Sequence, residues 1–289
     1  MVTDRKSTSL VGSATLIEGC LDKANSSTFL PRRVSGNVEF DRIAPVYDET
    51  RLPPSEEELQ ALAGLLVGCR TVLDAGVGTG RFAVPLRARD FEVVGVDLSL
   101  AMMRRARAKG IATLVRADIL HLPLSDKVVD AAFMAHVLQL LPDPRPVLGE
   151  LGRVARREVV VQLPEWFERQ PTSAWQDRRA RYRELAAELG HPLPPRGKRY
   201  WHTLEELSAI APPKSVRLVS RPPPTDLTAE ERAARWGAMM FGREQVPPEV
   251  HAEIIRRLHA EHPIDPSFWT RPRTTRFVAW DPATLGPTA

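Results

Sequence analysis

The stretch Thr71-Val72-Leu73-Asp74-Ala75-Gly76-Val77-Gly78-Thr79-Gly80-Arg81 constrains this 289-residue chain more than any other. Apolar residues and an acid run into Gly-x-Gly-x-Gly, a short buried strand breaking into a loop so poor in side chains that a ligand can lie against its backbone. The pattern then repeats. Val93-Val94-Gly95-Val96-Asp97 is a second strand ending in an acid, and Val115-Arg116-Ala117-Asp118 is a third. Strands that each deliver a carboxylate to one edge of a sheet describe a site for a ligand with an amine, a ribose and a base.

Strand and helix signals alternate along the rest of the chain. Phe40, Ile43, Ala44 and Tyr47 recur at helical spacing, with Pro45 keeping that helix short or kinked. Ser55 and Glu58 form a capping box ahead of Leu59, Leu62, Leu65 and Leu66, which predicts a core helix without chemistry. The helix opened by the glycine loop should turn unpaired N–H groups towards the ligand. Ser99 caps a helix from Leu100 to Lys109 that closes at Gly110, and Arg104, Arg105, Arg107 and Lys109 read as a solvated basic face. Ala131 to Ala135 is a fourth strand, Val147 to Val154 a helix, and Glu158 to Leu163 a fifth strand.

Beyond these, Trp166, Phe167, Trp175 and Tyr182 lie in an Arg-rich helical stretch. A capped helix opens at Thr203, Val216 to Val219 is a sixth strand, and a capped helix runs from Thr228 through Met240. Pro248 to His259 is another helix and Thr275 to Trp280 the last strand. The expected fold is α/β: a doubly wound, mostly parallel seven-stranded sheet of Rossmann-like kind, with helical insertions towards the C-terminus. Residues 1–38 read as a flexible tail, 39–163 as the ligand-binding core, and 164–289 as the rest of the sheet with insertions that roof the site.

The pieces VLDAGVGTGR, VVGVDLSLAMMRRAR, RADILHLPL and VDAAFMAHVLQLLPD, with FDRIAPVYDETR upstream, carry a family resemblance. Over residues 40 to 163 or so the chain resembles the class I S-adenosylmethionine (SAM) dependent methyltransferases, in the small-molecule group called type 11. The resemblance implies that Gly76, Gly78 and Gly80 admit SAM to the backbone and that Asp74 faces its ammonium group or the loop. It implies that Asp97 takes the ribose hydroxyls, that Leu98 and Met102 sandwich the adenine, and that Asp118 with the Ile119 N–H reads the adenine amine. Tyr47 and Arg51, from the family's Y-D-x-x-R pattern, would reach the methionine end, unless Tyr47 only packs. Ala135 ends the fourth strand beside the cofactor. His136 follows it and is the candidate general base, with packing or backbone bonding as its bland reading. The chain departs from the family pattern twice: Val154-Ala155-Arg156-Arg157 replaces a Gly-Gly turn, and Gln139 and Leu140 stand where a histidine is common.

Several classes of function fit less well. A dinucleotide site prefers G-x-G-x-x-G and has no use for Asp74 beside a pyrophosphate. Amine methylases of nucleic acids resemble one another in an Asn/Asp-Pro-Pro-aromatic motif, and Ala135-His136-Val137-Leu138 lacks it. The charge balance, 40 basic against 36 acidic residues, is only mildly basic. Arg178, Arg179, Arg181 and Arg183 nevertheless keep an RNA methyltransferase as the alternative, and a non-catalytic SAM-binding protein is another. Cys20 and Cys69 fit no metal or redox spacing and point to the cytoplasm. Glu18 interrupts the weakly apolar Leu10–Ile17 run before it resembles a signal peptide, and no run is long enough to span a bilayer. His251, His259 and His262 read as a solvated helix face rather than a metal site. The expectation is a cytoplasmic enzyme with SAM as cofactor and a small-molecule methyl acceptor.

Overall fold

Short apolar runs buried on both faces build the sheet, as a parallel arrangement requires. In the computed structural model the strands are β1 Thr71–Ala75, β2 Glu92–Asp97, β3 Thr113–Arg116, β4 Val129–Ala135, β5 Ala155–Pro164, β6 Ser215–Arg221 and β7 Arg273–Trp280. The structure describes residues 40–51, 53–164, 173–193, 199–221, 228, 245–262 and 272–286. The expected tail at 1–38, Trp166, Phe167 and the body of the helix at 229–240 lie outside them. The strands form one seven-stranded sheet in the order β3-β2-β1-β4-β5-β7-β6. Pairings among β1 to β5 are parallel, and β7 runs antiparallel to both β5 and β6.

The helices are α1 Phe40–Ile43, α2 Glu56–Leu65, α3 Ala83–Arg87, α4 Leu100–Ala108, α5 Arg145–Val154, α6 Ser173–Glu188, α7 Leu204–Ile210 and α8 Pro248–Glu261. Alternation along the strands sorts the core into two layers. Leu73, Met134 and Val161 pack with Leu148 and Leu151 of α5 and Leu207 of α7 on one face. Val72, Phe133 and Val160 pack with Leu59 and Leu62 of α2, Leu86 of α3 and Met103 of α4 on the other. Phe133 anchors that second layer, with its ring centroid 5.1 Å from Phe82 and 6.4 Å from Phe277. The strand order reverses direction between β1 and β4, so the crevice beyond their carboxyl ends is the natural ligand position in such a sheet.

Where the family pattern has a Gly-Gly turn, no turn is needed. α5 ends at Val154 and β5 begins at Ala155, whose backbone is already extended (φ −87°, ψ 142°). The β4–β5 register shifts between Val129 and Ala131, giving β5 an extra residue there. Arg156 closes the irregularity by donating to the carbonyls of Lys127 and Val128 and to Asp130.

The insertion helix α8 packs on α6 through Tyr182, Leu185, Ile254 and Leu258. This corrects the histidine reading for His251 and His259. The Tyr182 hydroxyl lies 2.7 Å from His251 Nδ1, and burial with the nearby Arg178 lowers the His259 pKa, so both face α6 rather than solvent. The arginines of α6 are likewise committed. Arg181 pairs with Glu261, Glu188 and Glu184 at 2.6, 2.7 and 3.2 Å, and Arg183 donates to the Leu193 carbonyl. Arg181 and Arg183 thus staple the insertion, which weakens the sequence argument for an RNA footprint. Among the described residues no helix is long and apolar enough to cross a membrane.

Candidate functional site

β1 delivers Asp74 and β2 delivers Asp97 to the same edge, close enough for the Asp97 charge to act on Asp74. Asp74 is 3% exposed. Burial, reinforced by the Asp97 carboxylate, pushes its pKa up to about 7 against a hydrogen bond from the Ala83 N–H. Burial also raises Asp97, although its carboxylate accepts from the N–H groups of Gly78 (2.8 Å) and Ser99 (2.9 Å). Two carboxylates buried this close together form a site that favours a positively charged ligand. β3 ends at Arg116, opposite Asp97, and Asp118 lies two residues beyond the strand with Oδ1 bonded to the Leu120 N–H. The Ile119 side chain is buried in the core layer.

The glycine loop spends its own amides. Gly76 and Val77 donate to the Val96 carbonyl, Gly80 to Val77, Val84 to Gly80, Gly78 to Asp97, and Ala83 to Asp74. α3 is only five residues long. The expected fan of unpaired helix N–H groups is therefore absent at these amides, which suits a cationic ligand and disfavours a pyrophosphate. Gly76 (φ +83°) cannot carry a side chain, because a Cβ would lie 2.3 Å from Val137. Gly78 (φ +53°) differs: a Cβ there meets nothing closer than 4.0 Å, so its outer side is open to a ligand.

A strap formed by residues 40–51 crosses this loop. Instead of one helix, it is α1 followed by single 3-10 turns at Ala44–Val46 and Asp48–Thr50, the first containing Pro45. Ile43 and Ala44 pack on Met102, with Phe40 and Tyr47 beside them. Met102 is 1% exposed, so it backs the strap and is not open to sandwich an adenine; Leu98 is half-buried. Asp41 caps the start of α4 through the Ser99 hydroxyl (2.6 Å) and the Ala101 N–H (3.0 Å). Asp48 accepts from the Thr79 hydroxyl and pairs with Lys109 (2.7 Å) and Arg105 (3.4 Å). Two of the basic residues of α4 thus hold the strap rather than merely facing water.

Past Ala135 the chain turns sharply, with His136 in the left-handed region (φ 58°). Its Nε2 is buried without a hydrogen-bond partner. Burial, with Arg81, Arg51 and Arg199 nearby, lowers its pKa well below the usual histidine value, so the imidazole is neutral. Arg51 lies 5.3 Å from the centroid of the Tyr47 ring, which ties the end of the strap to the same place. Gln139 Nε2 donates to the His136 carbonyl (2.7 Å), and the Gln139 carbonyl accepts from the Tyr200 N–H (2.9 Å). The His136 carbonyl can only accept, so that bond fixes the orientation of the Gln139 side-chain amide and leaves its Oε1 buried without a partner, while the Tyr200 bond engages the Gln139 backbone carbonyl. Gln162 of β5, opposite Ala135, behaves the same way: Nε2 donates to Glu58 and Oε1 has no partner.

Several of these groups have no counterpart in the sequence reading. Glu58 is more than a helix cap, since it also meets Gln162 and the field of Arg81. Arg81 was visible beside the glycines but carried no role there. Arg199 and Tyr200 reach the site from the segment before α7, and nothing local in sequence marks them. A shallow groove of about 490 Å³ between α2 and β6 carries none of the strand-end acids. The acids, the open Gly78 and the unpartnered His136 Nε2 together fit a ligand that brings its own cation, donors and hydroxyls, as SAM does.

Comparison with known proteins agrees with this geometry. A family model described as "Methyltransferase domain" matches residues 73–161. A demethylmenaquinone methyltransferase from Roseiflexus sp. is 30% identical over 223 residues, covering 70% of this chain and 85% of that protein. A malonyl-[acyl-carrier protein] O-methyltransferase from Hamiltonella defensa is 40% identical over 91 residues, 31% of this chain and 35% of its own. The chain spans between 35% and 55% of the length of the first curated relatives it matches. The Haemonchus contortus phosphoethanolamine N-methyltransferase 2, solved with S-adenosyl-L-methionine, shares the fold with a TM-score of 0.51 at 16% identity, covering 83% of this chain and 56% of that one. The sheet order, the acid-ended strands around the glycine loop and the match over most of one relative's length agree, and the chain belongs to the class I S-adenosylmethionine-dependent methyltransferases.

Proposed function

We propose that this protein transfers the methyl group of SAM to a small-molecule acceptor by in-line displacement. The observation that carries the reading is Asp74, a buried carboxyl beside Asp97 at the open glycine loop and in want of a cation. The cofactor supplies an activated methyl group on a sulfonium, so the protein's task is chiefly to position the acceptor and exclude water. Asp74 takes the ammonium group, Gly76, Gly78 and Gly80 admit the backbone approach, and Asp97 holds the ribose hydroxyls. Leu98 lies against the adenine, with Asp118 and the Ile119 N–H on its amine edge. Tyr47 and Arg51 close the methionine end, and Ala135 lines the crevice. His136 stands where the acceptor enters, and its lowered pKa makes it a hydrogen-bonding group before it is a base.

Residues 39–163 then form the cofactor core, and the later elements, which bring Arg199 and Tyr200 to His136, shape the acceptor side. The relatives act on acceptors as different as demethylmenaquinone and a malonyl-[acyl-carrier protein], which supports the reaction class more than any one substrate. The two cysteines of the chain fit no metal or redox spacing, which supports the cytoplasm as its compartment. Calorimetry with SAM, S-adenosylhomocysteine and NAD tests the reading. The adenosyl ligands should bind and NAD should not; binding of NAD alone would overturn it.

A further inference from the structure

Two carboxamide oxygens are buried without a partner at the carboxyl ends of neighbouring parallel strands: Gln139 Oε1 just past β4 and Gln162 Oε1 on β5. Gln162 lies opposite Ala135 in the sheet, and Gln139 Nε2 is 2.7 Å from the carbonyl of His136, the next residue after Ala135. The two side chains are enclosed, at 5% exposure for Gln139 and 2% for Gln162. Their orientation is set at the nitrogen end. Gln139 donates to the His136 carbonyl and Gln162 to Glu58 Oε1 (3.2 Å), while Glu58 Oε2 accepts from the Ser55 N–H (2.8 Å). Each NH2 group is engaged by an acceptor, so each oxygen is left to face elsewhere and to want a donor.

The place is next to the glycine loop. β4 separates β5 from β1, and Gly76 packs so tightly on Val137 that a Cβ would lie 2.3 Å from it. A ligand seated on the acids of β1 and β2 therefore has the ends of β4 and β5 on its far side.

We propose that the methyl acceptor is a primary arylamine, whose two N–H groups donate to Gln139 Oε1 and Gln162 Oε1 while its lone pair faces the methyl group. The proposal rests on the SAM reading of the strand-end site and names the acceptor atom for it. The oxygens are buried, so the amine reaches them as the side chains around them part.

Counting hydrogens leads to nitrogen. A hydroxyl has one hydrogen and would leave one of the two oxygens unpaired, whereas a primary amine serves both from the atom that reacts. A hydroxyl must also lose its proton during transfer, and a carboxamide oxygen can accept a hydrogen bond but is too weak a base to take that proton. An arylamine is uncharged at neutral pH and arrives with its lone pair free, unlike an alkylammonium ion. The lone pair forms the new C–N bond while the carbon–sulfur bond breaks and its electron pair stays on sulfur. Positive charge grows on nitrogen as it does so, and two carbonyl dipoles already pointed at that atom stabilise it. His136, held neutral by burial, puts no opposing charge beside it. The product is an N-methylammonium ion, which gives its extra proton to solvent on leaving.

The test is titration of the S-adenosylhomocysteine-loaded protein with three probes of one shape, aniline, phenol and toluene, which offer two, one and no donor hydrogens. Aniline should bind about tenfold more tightly than phenol, and phenol more tightly than toluene, tenfold being about 1.4 kcal/mol. Gln139→Met and Gln162→Met keep the length of the side chain and remove its oxygen. Each should bring aniline to within about twofold of phenol, with S-adenosylhomocysteine affinity within about twofold of wild type. That retained affinity reports folding, and either variant suffices if the other does not fold. Phenol binding as tightly as aniline, no aniline binding, all three probes binding alike, or an aniline preference unchanged in a folded variant would each overturn the proposal. Failure of wild type to bind S-adenosylhomocysteine would instead remove the methyltransferase reading beneath it.

Discussion

The Thr79 hydroxyl donates a 2.6 Å hydrogen bond to Asp48 Oδ1, tying the strap of residues 40–51 to the centre of the glycine loop. Asp48 also meets Lys109 and Arg105 of α4, so one carboxylate joins the strap, the loop and the helix that follows β2. The strap is therefore built into the glycine loop and is not a peripheral cover.

Its removal should be felt in binding. Asp48→Ala is expected to weaken S-adenosylhomocysteine about tenfold, since a charged hydrogen bond contributes roughly 1.5–3 kcal/mol. Thr79→Val should show part of the same loss, and the double variant should lose less than the sum of the two. Calorimetric affinities for the four proteins of this cycle measure it, and strict additivity would mean that the contact does not couple strap to loop.

Asp74 predicts opposite effects on stability and binding. Its folded pKa of about 7 lies above the ordinary 3.8, so this group withdraws stability from the ligand-free protein as pH rises from 3.8 through about 7. Asp74→Asn should make the ligand-free protein more stable to urea on the alkaline side of that range and leave it unchanged at the acid end. Binding should run the other way. An ammonium group favours the ionised carboxyl, so S-adenosylhomocysteine affinity should climb as pH rises through about 7, with proton release seen as a dependence of the binding heat on buffer. The variant should bind weakly and lose that proton release; a release as large as that of wild type would place the titrating group elsewhere.

Asp97 has two duties that one substitution confounds. It braces Gly78 and Ser99 and, in the proposed site, holds the ribose. Asp97→Asn should weaken S-adenosylhomocysteine by about 2 kcal/mol or more. Comparing the parent ligand with its 2′-deoxy analogue separates the duties. Wild type should discriminate strongly between them and the variant little, whereas equal discrimination by both proteins would leave Asp97 only its structural part.

At the opposite edge of the sheet, Asp130 accepts from the N–H groups of Arg70 (2.9 Å) and Thr71 (3.0 Å), from the Thr71 hydroxyl (3.0 Å) and from Arg156 (2.8 Å). Burial raises its pKa, but these donors outweigh it and bring the group down to about 2. A depressed acid stabilises the fold above 3.8, and that contribution disappears as pH falls through about 2. Asp130→Ala should cost roughly 2–3 kcal/mol of unfolding free energy at neutral pH and flatten the acid limb of the stability curve. S-adenosylhomocysteine affinity should stay the same, because β1 and β4 carry the ligand at their other ends.

Local chemistry accounts for what the sequence made legible. Apolar runs such as Val72–Leu73 and Val159–Val161 mark strands buried on both faces, and the capping boxes at Ser55 and Thr203 mark helix starts within a few residues of where they form. Where a neighbour in space supplied the deciding energy, local reading misjudged the residue. The basic face of α4 is partly spent on Asp48, His251 meets the hydroxyl of the buried Tyr182, and the loop amides turn inwards to Val96, Asp97 and Asp74.

By itself the chain determined the sheet, the glycine turn after β1 and the acids at successive strand ends, because periodicity and backbone freedom act over a few residues. Only the folded molecule decided that Arg199, Arg81 and Arg51, far apart along the chain, gather around a neutral His136, and that Gln162 reaches Glu58. Charge and burial act through space rather than along the sequence, so the acid-bearing strand ends could be read early while the surroundings of His136 required the tertiary structure.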